Sequence, residues 1–126
     1  MAEDAPAPPA FADPAAAVAG WHAHVYYDPA STREAAARVR AGIEAGFPGV
    51  AMGRWHDRPV GPHPQAMYQV AFPPELFPRL VPWLALNRAG LTVLVHPETG
   101  RARADHLRHA LWLGAVLPLD GSVLPE

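Results

Sequence analysis

The chain has 126 residues, 17 % of them charged, a formal net charge of −2 and no cysteine. That length fits one domain at ~100–200 residues per domain, and a near-neutral chain has no electrostatic reason to bind nucleic acid or a membrane surface. No apolar run approaches the ~18 residues of a membrane span. The lack of cysteine removes disulfides and thiolate ligands and fits a reducing, cytoplasmic compartment.

Residues 1–19 are dominated by Ala, Pro, Asp and Glu. Such a stretch buries too little apolar surface to offset its ordering entropy, so a disordered tail is expected, followed by a single domain over residues 20–126. The tail has no basic segment leading into a long apolar run and does not read as a signal peptide. Trp21 to Tyr27 (WHAHVYY) is aromatic and β-branched and stops at Asp28-Pro29, which predicts a strand. Ser31-x-x-Glu34 has the form of a capping box. Ala36, Val39 and Ile43 follow at helical spacing, and Gly46 marks the helix end. Val50 to His56 predicts a second strand. Asp57 to Pro64 (DRPVGPHP) is a loop stiffened by three prolines that fix φ and remove donors. Ala66 to Phe72 predicts a third strand. Glu75 to Asn87 carries Leu76, Leu80, Trp83 and Leu84 on one helical stripe, with Pro78 and Pro82 delaying or kinking the helix. Leu91 to His96 predicts a fourth strand, and Asp105 to Leu113 a short helix before an apolar tail.

The order β-α-β-β-α-β predicts an α+β, ferredoxin-like domain with one antiparallel four-stranded sheet and both helices on one face. Strand residues alternate between faces. If Ala23 and Val25 face the helices, His22, His24 and Tyr26 share the other side. The same alternation places Arg54 and His56, Met67 and Gln69, and Thr92, Leu94 and His96 on that helix-free face. His22 and His24 then lie roughly 6–7 Å apart along their strand, and the antiparallel neighbour brings His96 to the same end. Three neutral imidazoles suit Fe(II), Mn(II) or Zn(II) and leave coordination positions open. Each residue also has an ordinary explanation. A His-x-His pair is common on surface strands. His63 suits a turn, His106 and His109 a solvated helix face, and Arg54 a surface ion pair. The loop carrying His63 joins strands two and three, at the far end of strand one from His22, and reaches the cluster only by folding across the face. The uncovered face, the two exposed sheet edges and the apolar segment Leu111 to Leu119 predict a homodimer.

Four segments, WHAHVYYD, VGPHP, WLALNRAGLTVLVHPETG and DHLRHALWLG, together resemble the DOPA 4,5-dioxygenase family of fungi and bacteria, in the right order and over about Trp21 to Leu119. The resemblance implies an extradiol ring-opening enzyme with non-haem Fe(II), acting on a catechol such as DOPA with O2. Zn(II) or Mn(II) are alternatives in isolated protein. The family's motif histidines correspond to His22, His24, His63, His96 and His106. Combined with the face assignment, this gives His22, His24 and His96 as metal ligands. His63, then His106, become the candidates for proton transfer to and from the substrate. Arg54 and Tyr26 become candidate substrate contacts, Arg54 for a substrate carboxylate. The alternatives are a non-catalytic module binding a metal or small ligand on the same fold, and a structural dimer that buries the polar face.

Overall fold

A computed structural model of the protein describes residues 10–126. A one-turn helix, α1 (Pro14–Ala17), leads into β1 (Gly20–Tyr27), α2 (Arg33–Gly46), β2 (Ala51–Met52), β3 (Ala66–Phe72), α3 (Phe77–Asn87) and β4 (Val93–Glu98). The short helix expected from Asp105 is α4 (Ala102–Leu107), beginning three residues earlier, and β5 (Leu111–Leu113) follows where no strand was expected. Among the described residues the sheet has five antiparallel strands in the order β2-β3-β1-β4-β5. The expected four-stranded sheet is therefore one strand short: β5 pairs with the outer edge of β4. The expected tail lies partly outside the described residues. Its described part includes α1, capped by the Asp13 side chain on Ala15 N.

Both long helices pack on one face. Ala36, Val39 and Ile43 of α2 and Leu80 and Leu84 of α3 are buried against Ala23, Val25 and Tyr27 of β1, Tyr68, Val70 and Phe72 of β3, and Val93 and Val95 of β4. Each large aliphatic side chain buried here stabilises the fold by roughly 1.5–3 kcal/mol. Gly42 lets the helices approach: a Cβ at this position would stand 2.8 Å from the Trp83 ring. Residues Ala23 and Val25 point to this core as alternation demands, and β1 therefore turns His22, His24 and Tyr26 the other way.

The second face is not bare. Tyr26, Met67 and Leu94 form a smaller apolar cluster covered by Ala110, Trp112, Leu117 and Leu119. The C-terminal segment thus folds back over the chain's own sheet. Burial of apolar surface drives this as well as it would drive a dimer; the face is partly covered, while β2 and β5 remain the edges of the sheet.

Three local expectations change. Thr32 is the N-cap of α2, and its side chain makes no capping bond. Its Oγ1 accepts from Asp28 N instead, at 2.7 Å, so the capping box at Ser31 is not used. β2 is short because the strand bulges. Met52 pairs with Val70, whereas His56 bridges to Met67, four residues advancing on one strand against three on the other. In α3 the chain makes a 3-10 turn over Pro74–Leu76 before the helix begins. Pro78 then falls in the first turn, where no N–H is needed. Pro82 remains inside the helix, whose Leu80 and Leu84 anchor it to the core.

Candidate metal centre

β1 and β4 build the floor of the site. Their register places His22 directly opposite His96 and His24 opposite Leu94. His22, His24 and His96 each offer a ring nitrogen within 4.8 Å of the others. The Nε2 atoms of His24 and His96 are 3.0 Å apart, and the His22 and His96 rings lie 5.2 Å apart between centroids. The three histidines expected to meet on this face do meet.

Two more histidines close over them. The proline-stiffened loop folds across the face, so His63 is buried with its ring 4.3 Å from that of His24. The expectation that its loop stays at the far end of β1 is corrected. Periodicity says nothing about a loop's path, and here Tyr26 on the site's own face holds the loop, with its hydroxyl 2.6 Å from His63 Nδ1. α4 delivers His106, whose ring stacks 3.9 Å from that of His96. His24, His63 and His106 form a second group with ring nitrogens within 4.8 Å, so His24 belongs to both groups.

The outward nitrogens are set by acceptors. His22 Nδ1 meets Glu98 Oε1 at 3.0 Å. His96 Nδ1 meets Pro97 O at 3.0 Å, with Glu98 Oε1 3.6 Å away. His106 Nδ1 meets Ala102 O at 2.7 Å. A carbonyl or an ionised carboxylate can only accept, so each Nδ1 carries the proton and each Nε2 presents a lone pair. Metal-binding histidines are oriented by this same kind of contact.

Burial keeps the rings neutral. Desolvation holds His24 well below the usual histidine range, and His63, His96, His106 and His22 around it act in the same direction. Desolvation takes His96 down to about 4, against the opposing pull of its Pro97 hydrogen bond. It also takes His63 to about 4, helped by the nearness of His106 and His56. His22 is lowered by burial despite Glu98 beside it. Tyr26 is raised by burial and keeps its phenolic proton. His22, His24, His63 and His96 are all pushed toward the neutral form.

This donor set fits a divalent cation. Since His96 presents a bare Nε2, the 3.0 Å contact is a hydrogen bond only if His24 carries its proton on Nε2. His24 Nδ1 is then bare, buried and without a partner, and it is the one such side-chain atom among the described residues. With the proton on Nδ1 instead, two lone pairs face each other. Either arrangement leaves an uncompensated polar atom in a buried place, which native proteins avoid. A cation held between the His24 and His96 Nε2 atoms would relieve the clash of lone pairs there, with the His24 proton then on Nδ1.

The remaining candidates stand apart. Arg54 is exposed in the β2 bulge and makes no ion pair or hydrogen bond among the described residues. Tyr26 is 1 % exposed, with its hydroxyl engaged by His63. His109 is exposed and outside both groups. Sequence reasoning passed over Glu98 and Asp105. Glu98 lies two residues beyond His96, on the same strand face, and that spacing was the available signal. Asp105 is 1 % exposed and binds Thr99 N at 2.9 Å and Thr99 Oγ1 at 2.6 Å, which fixes the turn that brings α4 to β4. A depression of about 370 Å³ borders His22 and Glu98 at the start of β1, lined also by Trp21, Phe72 and Pro73.

Residues 21–123 match the sequence profile of the Dopa 4,5-dioxygenase family. The chain belongs to this family. A DOPA 4,5-dioxygenase of Amanita muscaria is 33 % identical over 112 residues, which make up 83 % of this chain and 49 % of that protein. An uncharacterized 21.2 kDa protein of Botryotinia fuckeliana is 37 % identical over 111 residues, 80 % of this chain and 61 % of its own. The chain thus spans less than two thirds of either relative. A crystal structure described as that of a candidate dioxygenase from Nostoc punctiforme shares 56 % identity, with a TM-score of 0.85, covering 89 % of this chain and 95 % of that one. The matched stretch in this member of the Dopa 4,5-dioxygenase family contains all five clustered histidines. No helix among the described residues is long and apolar enough to cross a membrane.

Proposed function

We propose that the chain is an extradiol ring-cleaving dioxygenase that uses non-haem Fe(II) and O2 on a catechol such as DOPA. The observation that carries this reading is the buried cluster of neutral histidines on the helix-free face, in a chain of the Dopa 4,5-dioxygenase family. His22, His24 and His96 would hold the metal. When bound, Fe(II) supplies positions for both catechol oxygens and for dioxygen, and couples two reactants that otherwise meet slowly.

The chain's own groups do the rest. Glu98 and Pro97 O hold the His22 and His96 rings in place from behind. His63 and His106 stand over the floor; His106, bare at Nε2, can take a catechol proton, and His63, holding a proton, can give one on the product side. Both atoms of O2 end in the product, one on each carbon of the cleaved bond, so no further reductant is needed. On this reading β2-β3-β1-β4 with α2 and α3 is a ferredoxin-like unit, to which β5 and α4 were added to close the site.

Anaerobic loading with Fe(II), followed by DOPA in air, tests the proposal. A yellow ring-opened semialdehyde should form with one O2 consumed per catechol. No oxygen uptake with any of a panel of catechols, at full iron occupancy, would leave the non-catalytic metal-binding module as the better description.

A further inference from the structure

The five clustered histidines are not equivalent in what they turn toward the site. His22, His96 and His106 each place Nδ1 against an atom that can only accept, and so each shows a lone pair at Nε2. His63 differs. Its Nδ1 faces the Tyr26 hydroxyl at 2.6 Å, and a hydroxyl can donate or accept.

Satisfaction of buried donors decides between the two arrangements. Tyr26 is 1 % exposed, and its hydroxyl has no other partner among the described residues. If His63 donated from Nδ1, the phenolic O–H would be a buried donor with nowhere to go. Leaving such a group unpaired costs about 1–3 kcal/mol. If Tyr26 donates to Nδ1, the O–H and the ring nitrogen are satisfied together. A neutral His63 must then carry its proton on Nε2. That atom has no hydrogen-bond partner among the described residues and keeps some exposure, on a ring 4.3 Å from that of His24 and 6.0 Å from that of His106. The Tyr26 ring cannot swing away. It is stacked on Trp112 of β5, with centroids 6.1 Å apart and planes at 21°, and it packs with Met67 and Leu94.

We propose that Tyr26 is a positioning residue that locks His63 in the tautomer with its proton on Nε2, so that His63 turns an N–H, and not a ligand lone pair, toward the catechol site. The consequence for the reaction rests on the ring-cleavage reading, whereas the tautomer does not. His63 is thereby kept out of the metal's ligand set although it is as close to His24 as any true ligand. It holds a proton where an oxygen of the substrate or of dioxygen can accept a hydrogen bond. Tyr26, expected from sequence to touch substrate, acts instead through His63.

The experiment is two-bond ¹H–¹⁵N correlation spectroscopy of the full chain, with ¹⁵N-labelled histidine and Zn(II) as a diamagnetic metal. His63→Gln identifies the His63 signals. The wild-type spectrum should show His63 protonated on Nε2 and bare on Nδ1, and Tyr26→Phe should lose that single pattern. A wild-type His63 protonated on Nδ1 overturns the proposal, and this holds even if Tyr26→Phe does not fold. An unchanged His63 pattern in a folded Tyr26→Phe overturns it as well. In the iron form, Tyr26→Phe should keep its metal and its KM for DOPA within about two-fold while kcat drops by about 10-fold or more, toward the 10²–10⁴-fold typical of a lost acid/base group. Loss of metal in Tyr26→Phe would refute the lock through His63. No turnover by the wild type with any catechol would remove the ring-cleavage reading and leave the tautomer to the spectra.

Discussion

Replacing His24 with alanine is the sharpest perturbation of the metal centre, because His24 alone belongs to both groups of histidines that can hold an ion. Its variant leaves no complete group. His96→Ala, by contrast, leaves His24 with the His22 and His106 rings 6.2 and 5.9 Å from its own. A ligand that binds only the folded state stabilises it by RT ln(1 + [L]/Kd), about 2.7 kcal/mol at a hundred-fold excess over Kd. For a domain of this size that is on the order of 10 °C in melting temperature. Zn(II) or anaerobic Fe(II) should therefore raise the wild-type midpoint by about that much, raise His96→Ala by less, and leave His24→Ala unmoved. The apo form of His24→Ala should still fold. The ring it loses carries a buried nitrogen with no partner, so relief of that desolvated atom offsets part of the packing loss. Differential scanning fluorimetry with and without metal reads the shift, and metal per chain after desalting checks it. A His24→Ala protein that gains the full wild-type shift would refute the shared-ligand geometry.

His63→Ala should retain iron and lose turnover by about 10²–10⁴-fold; an iron-free His63→Ala would place the loop among the ligands. Glu98→Ala should weaken metal binding by about 10–100-fold, the usual effect of removing a group that orients metal-bound histidines, as measured by competition with a chromogenic chelator. The apo protein should lose stability in acid. His63 and His96 titrate at about 4 when folded, against ~6.5 when unfolded, so the unfolded state binds more protons between those values. Their stabilising neutral state is complete above pH ~6.5 and is lost as pH falls toward 4, with a slope of up to about 1.4 kcal/mol per pH unit for each histidine. Urea midpoints that stay flat from pH 7 to pH 4 would count against neutral, buried rings.

What the sequence made legible followed from period-two alternation. β3 begins and ends where its pattern does, at Ala66 and Phe72, and β1 misses by one residue. The parity of β1 and β4 alone was enough to collect His22, His24 and His96 on one face. β2 was less legible because its bulge breaks the alternation between Met52 and His56, and Arg54 in that interval is exposed. β5 was hidden for a different reason. Leu111-Trp112-Leu113 reads as three apolar residues among others, and only the exposed edge of β4 makes them a strand. His63 was found as a residue but misplaced in space, since what draws its loop across the face is a hydroxyl thirty-seven positions earlier in the chain. The capping box at Ser31 failed because Thr32, one residue on, bonded backward to Asp28.

The C-terminal segment explains why this sheet can hold a site at all. An open helix-free face would leave His22, His24 and His96 in water, where each imidazole would titrate near its ordinary value and compete for protons with any metal. Leu117 and Leu119 pack over Tyr26, Met67 and Leu94, α4 lays His106 on His96, and Trp112 braces Tyr26, which in turn holds His63. The same apolar burial that drives the tail onto the sheet therefore desolvates the rings. Desolvation disfavours the charged form of histidine, and what it leaves behind is a lone pair available to a cation at neutral pH. His22 and Glu98, at the start of β1 and the end of β4, remain partly exposed.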